Sequence, residues 1–128
     1  MKRDMDLVRK MLIEAEKSDE RYFDIGTWDW TDHDMREREL VTKLGDVEVF
    51  HLDLLEQGGL IKKSICEHSD VQMWEITWQG YEFLDAVRSN SIWNKLKKEA
   101  EKRGIGITVQ FAIISVKEAA SAVSSLEL

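Results

Sequence analysis

The chain contains no proline and a single cysteine, Cys66, in 128 residues. Without proline, nothing forces a helix to stop or kink, so long stretches can run as uninterrupted helix. One cysteine excludes an internal disulfide and fits a reducing compartment. No apolar run approaches the roughly 18–20 residues that a spanning helix needs, which argues against a membrane partner. The opening MKRDMD has acids directly after its basic residues and no apolar stretch behind them, so it does not read as a signal peptide. A basic excess is also missing. Acids outnumber bases by 25 to 18 for a net charge of −7, the opposite of what a general nucleic-acid binder carries. The 43% apolar content is nonetheless enough for a real core, and the length suits a single domain over residues 1–128.

Hydrophobic spacing predicts a helix over about residues 4–18, where Met5, Val8, Leu12 and Ala15 form a stripe and Asp4 and Asp6 sit at the start. Residues 20–35 crowd Tyr22, Phe23, Ile25, Trp28 and Trp30 among aspartates, as a short strand or an ordered loop. Residues 35–44 fit a helix slightly better than a strand. Asp46 is a good N-cap for a helix over about 46–57, with Val47, Phe50, Leu54 and Leu55 on one face and Gly58-Gly59 ending it. A β-hairpin is predicted over about 61–77 with its turn near His68-Ser69-Asp70. Thr77 caps a helix over about 78–88 with Trp78, Tyr81, Phe83, Leu84 and Val87 on its apolar face. A further helix covers about 91–103, and Thr108 caps a last one over about 109–124. The expected core is Leu12, Phe50, Leu54, Leu55, Leu60, Ile76, Phe83 and Trp93.

The order helix, connector, helix ending LLEQGGLI, hairpin, then TWQGYEFL resembles a winged helix. The fold expected is therefore mostly α with a small β-hairpin, α+β in class, with a winged-helix-like core and additional C-terminal helices. Four blocks in order, MKRDMDLVRKMLIEAE, FHLDLLEQGGLI, ITWQGYEFLDAVR and SIWNKLKKEAEKRG, resemble domain-of-unknown-function family 2513, small proteins of phages and prophages. Residues 20–45 depart from that pattern. The resemblance implies a winged-helix-like fold and a cytoplasmic place in a bacterial host cell. It supplies no catalytic residues to carry over.

Charge decides most of the functional expectation. Residues 21–60 hold ten acids against four bases, and the helix at 46–57 holds Asp46, Glu48, Asp53 and Glu56 with no Lys or Arg. Four carboxylates facing a phosphate backbone are repelled, with no counterion release to offset that. Trp28, Asp29, Trp30 and Asp32 instead suit a basic protein partner. Lys62 and Lys63 on the wing, with Lys95 and Lys98 on the 91–103 helix, are the DNA-contact alternative; a solvated helix face explains the second pair as well. Trp74, Trp78 and Trp93 fall on faces that suit core packing better than base stacking. Cys66 and His68 are two ligands at a wing turn, short of a zinc site, and His51 suits a satisfied, partly buried histidine. No phosphate loop, nucleophile elbow or paired-carboxylate signature appears, so no enzyme, cofactor or metal is expected. In the last helix Phe111, Ile114 and Ala122 lie outside the main apolar stripe and are candidates for a homodimer contact. The function expected is a non-enzymatic phage or prophage accessory protein, a protein-interaction module, with a DNA-binding regulator as the alternative.

Overall fold

A computed structural model of the chain describes residues 1–24, 45–64 and 72–126, with side chains to residue 119. In chain order the elements are α1 (Met5–Lys17), α2 (Asp46–Gln57), β1 (Ile61–Ser64), β2 (Met73–Ile76), α3 (Trp78–Val87), α4 (Asn90–Lys102) and α5 (Val109–Leu126). The fold is α+β and mostly helical, with each described helix within two residues of its expected bounds. Contacts gather into two compact units, Met1–Tyr81 and Glu82–Leu128, and the boundary falls inside α3.

In the first unit, the Asp4 side chain accepts from the Asp6 and Leu7 amides at 2.9 and 3.3 Å and so caps α1. Val8, Met11, Leu12 and Ala15 are buried along one face. α2 starts differently from expectation. Gly45 is its N-cap and no side chain closes the cap, so Asp46 is the first helical residue and acts only as a charge near the positive helix end. At the other end Gly59 takes φ +73°. Its amide donates to the Glu56 carbonyl at 3.0 Å, and the Leu60 amide to the Leu55 carbonyl at 2.9 Å. This is a Schellman closure that a side-chain-bearing residue would strain.

The buried face of α2 also differs from the expected one. His51, Leu52 and Leu55 face inward; Phe50 and Leu54 are half-buried, and Val47 is exposed. The reason is His51. The Asp4 amide donates to its Nε2 at 2.8 Å, and its Nδ1 lies 2.7 Å from the Val47 carbonyl. An amide only donates and a carbonyl only accepts, so the ring is the neutral Nδ1–H tautomer. With both nitrogens satisfied the ring is buried at little cost, and the helix turns its valines outward.

β1 and β2 pair antiparallel with Ile61 opposite Ile76, Lys62 opposite Glu75, Lys63 opposite Trp74 and Ser64 opposite Met73. Phe23 adds a bridge on the other side of β2, exchanging amide-to-carbonyl bonds of 2.9 and 2.8 Å with Trp74. Thr77 fastens the hairpin to α3. Its amide donates to the Leu60 carbonyl, its hydroxyl donates to the Gly59 carbonyl and accepts from the Gly80 amide at 3.0 Å. Gly80 is required for space: a Cβ there would come within 2.2 Å of the Leu60 carbonyl oxygen. Leu12, Leu55 and Leu60 are core residues as expected, whereas Ile76 is half-buried because it lines an open cleft.

In the second unit Phe83, Leu84, Ala86 and Val87 of α3 are buried, as are Trp93, Leu96 and Ala100 on one stripe of α4. Ser89 caps α4 by accepting from the Ile92 amide. Gly104, at φ +68°, closes it with the same Schellman pair of bonds, from Gly104 to Glu101 and from Ile105 to Ala100, both 3.0 Å. Thr108 caps α5 by accepting from the Phe111 amide at 3.0 Å. Ala112 is buried, and Val109, Phe111, Ile113 and Val116 are half-buried. Among the described residues no helix is long and apolar enough to cross a membrane.

Candidate functional site

Two surfaces of the first unit stand out, and α2 builds one of them. Inward burial of His51, Leu52 and Leu55 leaves Asp46, Val47, Val49, Asp53 and Gln57 exposed. Val47 and Val49 are 48% and 44% exposed. Aliphatic side chains flanked by carboxylates, on a helix without a cation, form an apolar surface with a negative rim.

The second surface is built by the hairpin, the chain after α1 and the first turn of α3. Because β1 and β2 are in register at Lys62 and Glu75, the Lys62 ammonium reaches one Glu75 carboxylate oxygen at 3.0 Å. The Arg21 Nε reaches the other at 3.1 Å. The hydrogen bonds from Lys62 and then Arg21 hold the Glu75 carboxyl below its usual range. The bond to Glu75 likewise pushes the Arg21 guanidinium up. Arg21 also lies over the Tyr22 ring, 5.0 Å from its centre. Such exposed pairs contribute little stability. Their consequence is positional, since Glu75 fixes two cations side by side. Those cations line a cleft of about 370 Å³ with Ile76, Thr77, Trp78 and Tyr81.

Trp78 corrects the expected core. It is 82% exposed, and Tyr81 is exposed beside it. Gly80, Phe83, Leu84, Ala86 and Val87 are the residues that α3 buries. The helical repeat explains this, because Trp78 falls on the side of Asp85 and opposite Val87. A wheel drawn from Thr77 would have found it; counting Trp78 as apolar hid it. Arg21 and Glu75 had no signal of their own in the sequence. Only the hairpin register brings Glu75 to Lys62.

The other expected site residues separate. Trp28, Asp29, Trp30 and Asp32 lie outside the described residues, as do residues 35–44, the wing turn and Cys66 with His68. Lys62 and Lys63 are neighbours on a strand and so point to opposite faces. Lys62 takes Glu75, and Lys63 lies 4.0 Å from Glu56. Glu56 also accepts from the Trp74 indole. Lys95 and Lys98 belong to the second unit, where with Lys102 they share a surface recess with Glu99 and Glu101. Arg103 occupies Glu99 at 2.9 Å. Ile114 is 54% exposed, Phe111 is half-buried with Arg103 over its ring at 5.9 Å, and the Ala122 side chain lies outside the described residues. Both nitrogens of His51 are engaged. Among the described residues no group of three His, Cys, Asp or Glu side chains could hold a metal ion.

Comparison with known proteins places the chain by sequence. A protein of Haemophilus influenzae described as "Uncharacterized protein" is 27% identical, over 98% of this chain and 97% of its own length. No solved structure matches. Residues 2–106, from α1 through α4, match the family described as "Hypothetical protein (DUF2513)", and the chain therefore belongs to this domain-of-unknown-function family.

Proposed function

We propose that the protein is a non-enzymatic interaction module that binds a basic protein partner through the acidic, apolar outer face of α2. The supporting observation is the exposure of Val47 and Val49 between Asp46 and Asp53, on a helix with no Lys or Arg. Aliphatic groups supply contact area that gains from burial. The carboxylates around them steer and orient a cationic partner and repel a nucleic-acid backbone. Trp28, Asp29, Trp30 and Asp32, shortly before α2 in the chain, extend the same composition. An accessory role in a phage or prophage rests on the resemblance of the sequence blocks alone.

The DNA-binding alternative draws support from the order of helix, bridge, helix and hairpin. It is weakened by the four carboxylates of α2, a helix with no Lys or Arg, and by Glu56, which lies 4.0 Å from Lys63. The two are separated by one pair of experiments. Pull-down from a host lysate is run with the wild-type chain and with Asp46→Lys combined with Asp53→Lys; a duplex gel shift is run at low salt. A partner captured by the wild type and lost by the charge-reversed chain supports the module. A duplex shift abolished by Lys62→Glu or Lys98→Glu would replace it with the regulator. A homodimer through α5 belongs to the same proposal, supported by the exposure of Ile114. A monomer in sedimentation at micromolar concentration would remove that part.

A further inference from the structure

We propose that the cleft between β2 and the start of α3 binds an unpaired nucleobase–phosphate unit, with the base stacked on Trp78 and the phosphate held by Arg21 and Lys62. An indole that is 82% exposed offers a flat apolar face to solvent. Stacking on such a face is how unpaired bases are held without regard to sequence. The two cations beside it are placed in advance. Glu75 takes one donor from each, Nε of Arg21 and one ammonium hydrogen of Lys62. Apart from the Tyr22 ring under the guanidinium, the two Nη groups of Arg21 and the other ammonium hydrogens have no further hydrogen-bond or ion-pair partner among the described residues. Those donors suit the several acceptor oxygens of a phosphate, and the guanidinium fork in particular favours it. Two cations against one carboxylate leave the cleft locally positive in a chain of net charge −7.

The volume of about 370 Å³ lies in the range of small-ligand sites. Tyr81 adds a second exposed aromatic wall one turn along α3. A duplex is a poor occupant, because its bases are already stacked on one another and paired. The ligand chemistry is thus a base with its phosphate, whether a free mononucleotide or one residue of a single strand. This site is separate from the α2 surface, and its test does not depend on that surface.

The test uses the full chain and fluorescence anisotropy of a labelled short oligothymidylate at low salt, with thymidine and adenosine monophosphates as unlabelled competitors. Saturable binding that weakens with salt is expected. Trp78→Ala should lose roughly ten-fold or more in affinity, and Trp78→Phe should keep most of it. Lys62→Gln should lower the salt slope by about 0.7, the share of one phosphate on a single strand. Displacement by mononucleotide at comparable concentration assigns the site to free nucleotides; its failure assigns it to the strand. Circular dichroism melts confirm that each variant is folded, and Lys62→Gln carries the test if Trp78→Ala is not. Absence of binding by both probes at low salt overturns the proposal. So does affinity indifferent to Trp78→Ala, or capture of a Glu-Tyr copolymer with the Trp78 dependence that the nucleotides lack.

Discussion

α2 and α4 are helices of almost equal length, 12 and 13 residues, closed by the same pair of Schellman bonds on a left-handed glycine. They use their apolar residues in opposite ways. α4 buries Trp93, Leu96 and Ala100 and covers its outer side mainly with Asn, Lys and Glu. Ile92 is the one exposed aliphatic residue there. α2 buries a histidine with Leu52 and Leu55, and leaves Val47 and Val49 outside among carboxylates. Stability accounts for the layout of α4. In α2, apolar side chains in water add nothing to the core, and such surplus on a helix is what a partner surface looks like.

The comparison breaks first at its core residues. Trp93→Ala should cost about 3–5 kcal/mol and Leu55→Ala about 2–5 kcal/mol, read from denaturant unfolding at constant slope. Leu54→Ala should cost clearly less than Leu55→Ala, because Leu54 is only half-buried one position away. Equal losses at Leu54 and Leu55 would mean that the outer face of α2 is core as well.

His51 sharpens the contrast, being the inward residue of α2 with no counterpart in α4. His51→Phe keeps a buried ring but leaves the Asp4 amide without its acceptor. A loss of about 1–3 kcal/mol is expected from the unmet donor. Faster hydrogen exchange at the Asp4 amide is the local signature, since the imidazole is what that amide bonds to. Unchanged stability and exchange would show that the bond contributes nothing.

How much of this was legible in the sequence follows the same division. Helix limits were readable because they depend on local chemistry: Thr77, Ser89 and Thr108 at the starts, Gly59 and Gly104 at the ends. α4 was readable at Trp93, Leu96 and Ala100, which follow the 3.6-residue repeat, but not at Ile92, whose apolar side chain reads as inward and is exposed. In α2 the satisfied histidine was legible but the buried face was not, because the partner that draws His51 inward, the Asp4 amide, is 47 residues away. Trp78 was misread by residue type rather than angle. The Arg21–Glu75–Lys62 cluster needs the hairpin register and a chain separation of 54 residues, neither of which a local pattern contains. The acidic aromatic residues Trp28 to Asp32 remain a matter of composition.

A smaller effect should be shared by the two helices. Gly59→Ala and Gly104→Ala each place a Cβ on a left-handed backbone, with φ +73° and +68°. Nothing crowds either site within 3.4 Å. Each should therefore cost only the conformational penalty, about 1 kcal/mol, measured by thermal unfolding. A much larger loss at Gly59 alone would mean that the α2 closure carries tertiary strain beyond its own turn.

The smallest effect is the one that the contrast turns on. Val47→Ser combined with Val49→Ser removes two exposed aliphatic groups, and surface changes of this kind stay within about 0.5 kcal/mol. The melting temperature should hardly move. Ile92→Ser on α4, where an exposed aliphatic residue stands alone at 38%, should be equally silent. Binding should tell the helices apart. Loss of the captured partner on Val47→Ser with Val49→Ser, at unchanged stability and with Ile92→Ser inert, assigns the α2 valines to an interface. If the α2 pair instead lowers stability by 2 kcal/mol or so, a core-sized loss, the valines are packing and the surplus does not exist.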